Sequence, residues 1–214
     1  MVDRNKFEED LSFLLSKLEK RVSEEGKEKL YNLKNKLLHL HEANVVKINH
    51  SVMELVCAKH LLLKGYEVDV EHVLDEALTC DLYGVKGHGT LVVEVETGFV
   101  PPEHAIDPAT YSSARIASKI TRYSSYSNKF ALGIPPYYIL QIPTAFTVPP
   151  RERTEEDLRA VKNLCDPYYK NPPVTIEEIK NARLHIVYLI NVDDTVVEEI
   201  DPETYVHAYK DVSC

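Results

Sequence analysis

Three carboxylates fall where a short hairpin would bring them together. Asp81 lies in Cys80-Asp81-Leu82-Tyr83-Gly84-Val85; Glu94 and Glu96 lie in Leu91-Val92-Val93-Glu94-Val95-Glu96-Thr97. The segment between them, Val85-Lys86-Gly87-His88-Gly89-Thr90, carries two glycines within three residues and reads as a hairpin connection. Along the second strand side chains alternate, so Glu94 and Glu96 share one face and Val93 and Val95 the other. Charge at the end of an apolar strand is costly unless a cation accompanies it. Asp81, on the neighbouring strand, reaches the same place. Three converging carboxylates offer the all-oxygen donor set that a hard divalent cation prefers.

These residues need elements to position them. Residues 4 to about 22 predict an amphipathic helix, with Phe7, Leu11, Leu14, Leu18 and Val22 at helical spacing; Ser23-Glu24-Glu25-Gly26 breaks it, and Leu30, Leu33, Leu37 and Leu40 continue the stripe in a second helix. The pair suggests a helical hairpin or coiled-coil seam, or a unit packed on the body. A core helix is expected around Asn49–Leu63, with Val52, Leu55, Val56, Leu62 and Leu63 buried and Lys64-Gly65 as its end. It carries Glu54, and Ser51-x-x-Glu54 equally fits a capping box, in which the glutamate caps the helix start. Tyr66–Glu71 alternates as a first strand with its acids toward solvent. His50, His60 and His72 read as surface or packing residues, and His88 and His104 as loop residues.

Beyond Glu96, Asp107-Pro108 marks a stop and a start, and a helix is expected over about 109 to 127. Arg115, Lys119 and Arg122 follow one another at spacings of four and three and share a face, among many hydroxyl side chains. No Asp or Glu occurs between Pro108 and Arg151, whereas Arg115, Lys119, Arg122, Lys129 and Arg151 all fall there. That stretch is the expected phosphate-facing surface, because phosphate oxygens accept hydrogen bonds from basic and hydroxyl side chains. Arg153 extends it. Lys129–Ile134 reads as a strand, Tyr137–Ile142 as another strand or an extended segment, and the prolines at 143, 149 and 150 as a lid or linker. Helices from Thr154 and Thr175, strands near Arg183–Ile190 and Thr195–Glu198, and a short helix over 202–209 complete the chain.

The 214 residues suit one mixed α/β domain with a helical extension, divided as 1–47 and 48–214. A net charge of −9 excludes a general nucleic-acid coat, which needs positive potential throughout. No apolar run has the length of a membrane span and the N-terminus is too charged for a secretory signal, so the expectation is a cytoplasmic protein without membrane contact. Cys57, Cys80, Cys165 and Cys214 show no Cys-x-x-Cys spacing; they read as small buried hydrophobes plus a loose C-terminal thiol.

Asp81 followed by Glu94-Val95-Glu96, with Glu54 on the helix before the first strand, resembles the PD-(D/E)XK nuclease superfamily over roughly residues 48 to 135. That superfamily includes restriction enzymes and archaeal Holliday-junction resolvases; the wider likeness is to small nucleases from viruses of thermophilic archaea. The pattern departs from the family twice: Cys80 stands at the proline position, and Glu96 at the lysine position. Some restriction enzymes of the superfamily carry that glutamate. The resemblance implies a restriction-endonuclease-like mixed sheet flanked by helices, behind an N-terminal helical hairpin. It also implies a metal-dependent DNA endonuclease, with junction-like DNA among the substrates and a homodimer wherever cutting is symmetric. Mg²⁺ or Mn²⁺ would be held by Asp81, Glu94 and the Val95 carbonyl, with Glu54 helping. Glu96 would orient or deprotonate water, Lys119 would stand in for the missing lysine, and Lys119 or Arg115 would stabilise the phosphate. Arg115, Lys119, Arg122 and Lys129 would contact DNA. Two other readings remain open: the same fold kept as an inactive DNA-binding module, and an interaction protein working through its helical hairpin.

Overall fold

The computed structural model describes residues 2–209, with side chains from residue 5. Three helices come first: α1 (Val2–Leu18), α2 (Glu24–Glu42) and α3 (Ile48–Leu63). The antiparallel strands β1 (Glu67–Val73), β2 (Thr79–Lys86) and β3 (Gly89–Val95) follow, then α4 (Pro108–Tyr123) and β4 (Lys129–Ile134). Helices α5 (Glu155–Cys165) and α6 (Ile176–Asn181) lead to β5 (Ile186–Asn191), β6 (Val196–Ile200) and α7 (Pro202–Tyr209). The strands form one sheet in chain order; β4 runs parallel to β3 and to β5, and β6 antiparallel to β5.

The sheet separates two cores, because its side chains alternate between faces. One face meets α1–α3: Phe7, Leu11, Leu14, Leu18, Leu30 and Leu37 share a core with Leu55, Leu61, Val70, Leu82 and Val93. The other meets α4–α7, where Ile116 and Ile120 pack with Phe130, Leu132, Leu158 and Tyr205. The N-terminal helices therefore pack on the body; their apolar stripe is spent on α3 and the sheet.

Capping chemistry explains most boundaries. The first break lies at residues 19–23, with Arg21 at φ +67°, and Gly26 sits inside α2. The Ser23 side chain accepts from the Gly26 N–H, and Glu24 and Glu25 favour the first turn. Asp107 caps α4 with Pro108 at its first position, and Thr154 and Thr175 open α5 and α6 in capping boxes. The β2–β3 turn is Gly87-His88, with Gly87 at φ +60° as first central residue.

Three expectations need correction, and one alternative is decided. Leu63 is 57% exposed, since two residues beyond the buried Leu61 the helix has turned to its outer face. Of the two alternatives for Tyr137–Ile142 the strand is excluded and the segment lies outside the sheet; Leu140 donates its N–H to the Tyr205 hydroxyl instead. The proline-rich segment is not a free linker, because Ala145 and Phe146 are buried in the second core. Arg153 is no surface cation: it is buried and donates to the carbonyls of Ala145, Val148, Ile179 and Lys180. Cys57, Cys80 and Cys165 are free and buried; Cys214 lies outside the described residues.

Candidate functional site

The hairpin register aligns Leu82 with Val93, which sets Asp81 against Glu94. The two are interlocked: Asp81 donates its N–H to Glu94 Oε1 at 3.1 Å, and Val95 donates its N–H to Asp81 Oδ2. Glu96, just past the end of β3, donates its own N–H to the Gly133 carbonyl at 2.8 Å. Parallel pairing with β4 thus fixes the position of Glu96. Glu94 and Glu96 are both buried on the α4 side, as alternation requires.

Helix α4 lays Lys119 across them. Its Nζ lies 2.7 Å from Glu96 Oε1, 2.9 Å from Glu94 Oε2, 3.3 Å from the Val95 carbonyl and 4.0 Å from Asp81 Oδ2. Burial opposes the charge on Lys119, but the carboxylates of Glu94, Glu96 and Asp81 outweigh it and hold its pKa well above the ordinary lysine value. Arg115, one turn earlier, donates from Nε to Glu96 Oε1 at 3.1 Å and from Nη1 to the Phe99 carbonyl. Glu96 is only 1% exposed and is engaged by two cations, Lys119 and Arg115.

On the other side of Asp81 lies a second group of acids. One carboxylate oxygen from each of Glu54, Glu71 and Asp81 falls within 4.8 Å of the others. Glu71 stands across from Asp81: the β1–β2 register pairs Val70 with Leu82 and His72 with Cys80 but skips the two acids, and Glu71 adopts φ +45°. Glu54 comes from α3 and is 0% exposed, and neither carboxylate oxygen has a hydrogen-bond partner among the described residues. The capping-box alternative fails because α3 begins after Lys47, which leaves Ser51 inside the helix; the Ser51 hydroxyl is unpartnered too. Burial, with Asp81, Glu71 and Glu94 nearby, raises the Glu54 pKa well above the carboxylate range. Burial and the Asp81 charge push Glu71 up to about 7 and Glu94 up to about 8, against the pull of Lys119.

A divalent metal fits this donor set. A buried carboxylate without a donor is costly unless it is protonated or meets a cation, and every available ligand is a hard oxygen. Glu54, Glu71 and Asp81 could hold such an ion. Glu94 and the Val95 carbonyl, expected as ligands, face Lys119 instead.

The rest of the basic face divides. Arg115, Lys119 and Arg122 do share one side of α4, and all three line a cleft of about 300 Å³ with Tyr111, Tyr123 and Tyr169. Arg122, however, donates to the Pro172 carbonyl at 2.6 Å and lies over the Tyr169 ring, while its buried Nε has no partner among the described residues. Lys129 is exposed at the start of β4. A cavity of about 510 Å³ lined by Arg151, Arg153, Arg183 and His185 is built from other elements than those that carry the acids.

Two site residues escape sequence reasoning. Glu71 lies on a strand whose acids were expected in solvent; only the pairing of β1 with β2 turns it inward. His50 is half-buried on α3, and its surroundings include Asp81, Lys119, Glu96 and Arg115; burial lowers its pKa. Its place four residues before Glu54, one helical turn away, is the signal that could have found it. No family model matches the sequence, and neither the curated proteins nor the solved structures searched contain a match.

Proposed function

We propose that this protein is a metal-dependent DNA endonuclease that hydrolyses phosphodiester bonds at the Glu54–Asp81–Lys119 site. We read the run from α3 through β1–β3 and α4 to β4 as a restriction-endonuclease-like core. The observation that carries the proposal is the Glu54 carboxylate, buried and unpartnered beside Asp81 and Glu71. Support comes from the order of parts: a helical glutamate, an aspartate on one strand, a Glu-x-Glu on the next, and a basic helix after it.

A bound Mg²⁺ or Mn²⁺ would acidify the attacking water and neutralise charge growing on the scissile phosphate. The chain's own residues do the rest. Glu54, Glu71 and Asp81 would hold the ion. Glu94 orients Asp81 by accepting from its backbone N–H. Lys119 and Arg115, positioned by Glu96, present positive charge along the α4 cleft to the phosphate. His50, half-buried one helical turn before Glu54 and within electrostatic reach of Asp81 and Glu96, would be the group that moves a proton.

Cleavage of labelled duplex, single-stranded, flap and four-way-junction DNA, with Mg²⁺ or Mn²⁺ and beside Asp81→Asn, tests this reading. Metal-dependent cutting lost in the variant is expected; cutting retained in Asp81→Asn overturns it. A second reading, a DNA-binding module of the same fold without turnover, is favoured by one contact set, the clamping of Glu96 between Lys119 and Arg115. Binding of one of these DNAs without cleavage would select it.

No helix among the described residues is long and apolar enough to cross a membrane.

A further inference from the structure

We propose that the protein binds a single divalent cation between Glu54, Glu71 and Asp81, and that the Lys119 ammonium permanently fills the adjoining position where a second cation would sit. The inference rests on reading the site as a metal site, but not on its being a nuclease.

Three elements that meet only in the folded chain each send one carboxylate oxygen to the first position, all within 4.8 Å of one another. Oxygens bound to one Mn²⁺, Mg²⁺ or Ca²⁺ at about 2.0–2.6 Å lie at most about 4–5 Å apart, so the spacing suits a shared ion. Acid clusters without an ion are common, but this one contains Glu54, which is 0% exposed with neither oxygen partnered among the described residues. Nothing else on α3 satisfies that carboxylate. Glu71 completes the set at a non-glycine φ of +45°, a strained conformation that persists only where the surroundings impose it.

The adjoining position is bounded by Glu94, Glu96, the Val95 carbonyl and Asp81, an oxygen cage that would suit a second ion. Lys119 Nζ stands inside it, between 2.7 and 4.0 Å from all four. The charges agree with one ion. Lys119 and Arg115 pair directly with this group of carboxylates, while Lys36, which also acts on Glu54 and Glu71, is itself paired with Asp69. With that outer pair set aside, the five acids Glu54, Glu71, Asp81, Glu94 and Glu96 against two cations leave an excess of three negative charges when all are ionised. One divalent ion removes most of that excess, and a second would reverse its sign while Lys119 stays charged. The ammonium thus sets the stoichiometry, and Glu71, outside the Asp-Glu-x-Glu pattern, is the ligand that makes the first position complete.

The experiment counts Mn²⁺ bound to the full chain, by calorimetry and by the electron paramagnetic resonance of free Mn²⁺. The expected results are one ion on the wild-type protein, affinity at least about tenfold weaker in Glu71→Gln, and two ions on Lys119→Met. Two ions or none on the wild-type protein overturns the proposal without any variant having to fold. Unchanged affinity in Glu71→Gln, or one ion on a folded Lys119→Met, also overturns it. An Mn²⁺-loaded protein that cuts no DNA would sink the nuclease reading alone.

Discussion

Lys119 and Glu94 form a buried ion pair across the junction of α4 and β3, Nζ to Oε2 at 2.9 Å, with Glu96 Oε1 on the same ammonium at 2.7 Å. Neither glutamate is more than 2% exposed; Glu96 shares Lys119 with a second cation, Arg115, whereas Glu94 is paired with Lys119. Removing one partner of a buried pair leaves charge stranded and costs about 3–5 kcal/mol. Lys119→Met should therefore lower the free energy of unfolding in urea by that amount at pH 8 in EDTA. The loss should shrink on adding Mn²⁺ and shrink again at pH 5, where Glu94, its pKa raised to about 8, is protonated.

Glu54→Gln should act in opposite directions with and without metal. In EDTA the change removes a carboxyl group that lacks any partner among the described residues, and the melting temperature should hold or rise. With Mn²⁺ present the wild-type protein gains stability in proportion to ligand binding, and the variant should not. Parallel melts in EDTA and MnCl₂ check this; a variant stabilised by Mn²⁺ as much as the parent would contradict the ligand role.

The pH dependence of the metal-free protein follows from Glu71 and Glu94. Burial and neighbouring Asp81 raise their folded-state pKa values to about 7 and about 8, from an ordinary 4.5. A carboxyl with a raised pKa binds its proton more tightly when folded, so its stabilising contribution is complete below 4.5 and is lost as pH rises through 7 and 8. Urea unfolding in EDTA should show stability falling across that window. Saturating Mn²⁺, which favours the ionised acids, should flatten the fall.

Arg153→Met should destabilise without touching the site. The guanidinium donates to the carbonyls of Ala145, Val148, Ile179 and Lys180, tying the proline-rich segment to the end of α6. Leaving buried acceptors unmet costs about 1–3 kcal/mol or more. Urea unfolding should report that loss while Mn²⁺ affinity stays that of the parent.

Much of this protein is local and is legible in the chain. Gly87 and the apolar run into Glu94 fix the hairpin, and alternation puts Glu94 and Glu96 on one face. Asp107-Pro108 starts α4, and the three-and-four spacing aligns Arg115 with Lys119. Each of these depends on residues a few positions apart, so periodicity alone specifies it. What the basic face meets is another matter. The same spacing serves a solvated surface or a buried one, and only the docking of α4 on β3 turned Lys119 and Arg115 onto carboxylates. The inward placement of Glu71 required the β1–β2 register, and that of Glu54 and His50 required α3 to cross the sheet where it does. Contacts between residues far apart in sequence leave no periodic trace, and there tertiary structure alone decided which acids share a site and which already have their cation.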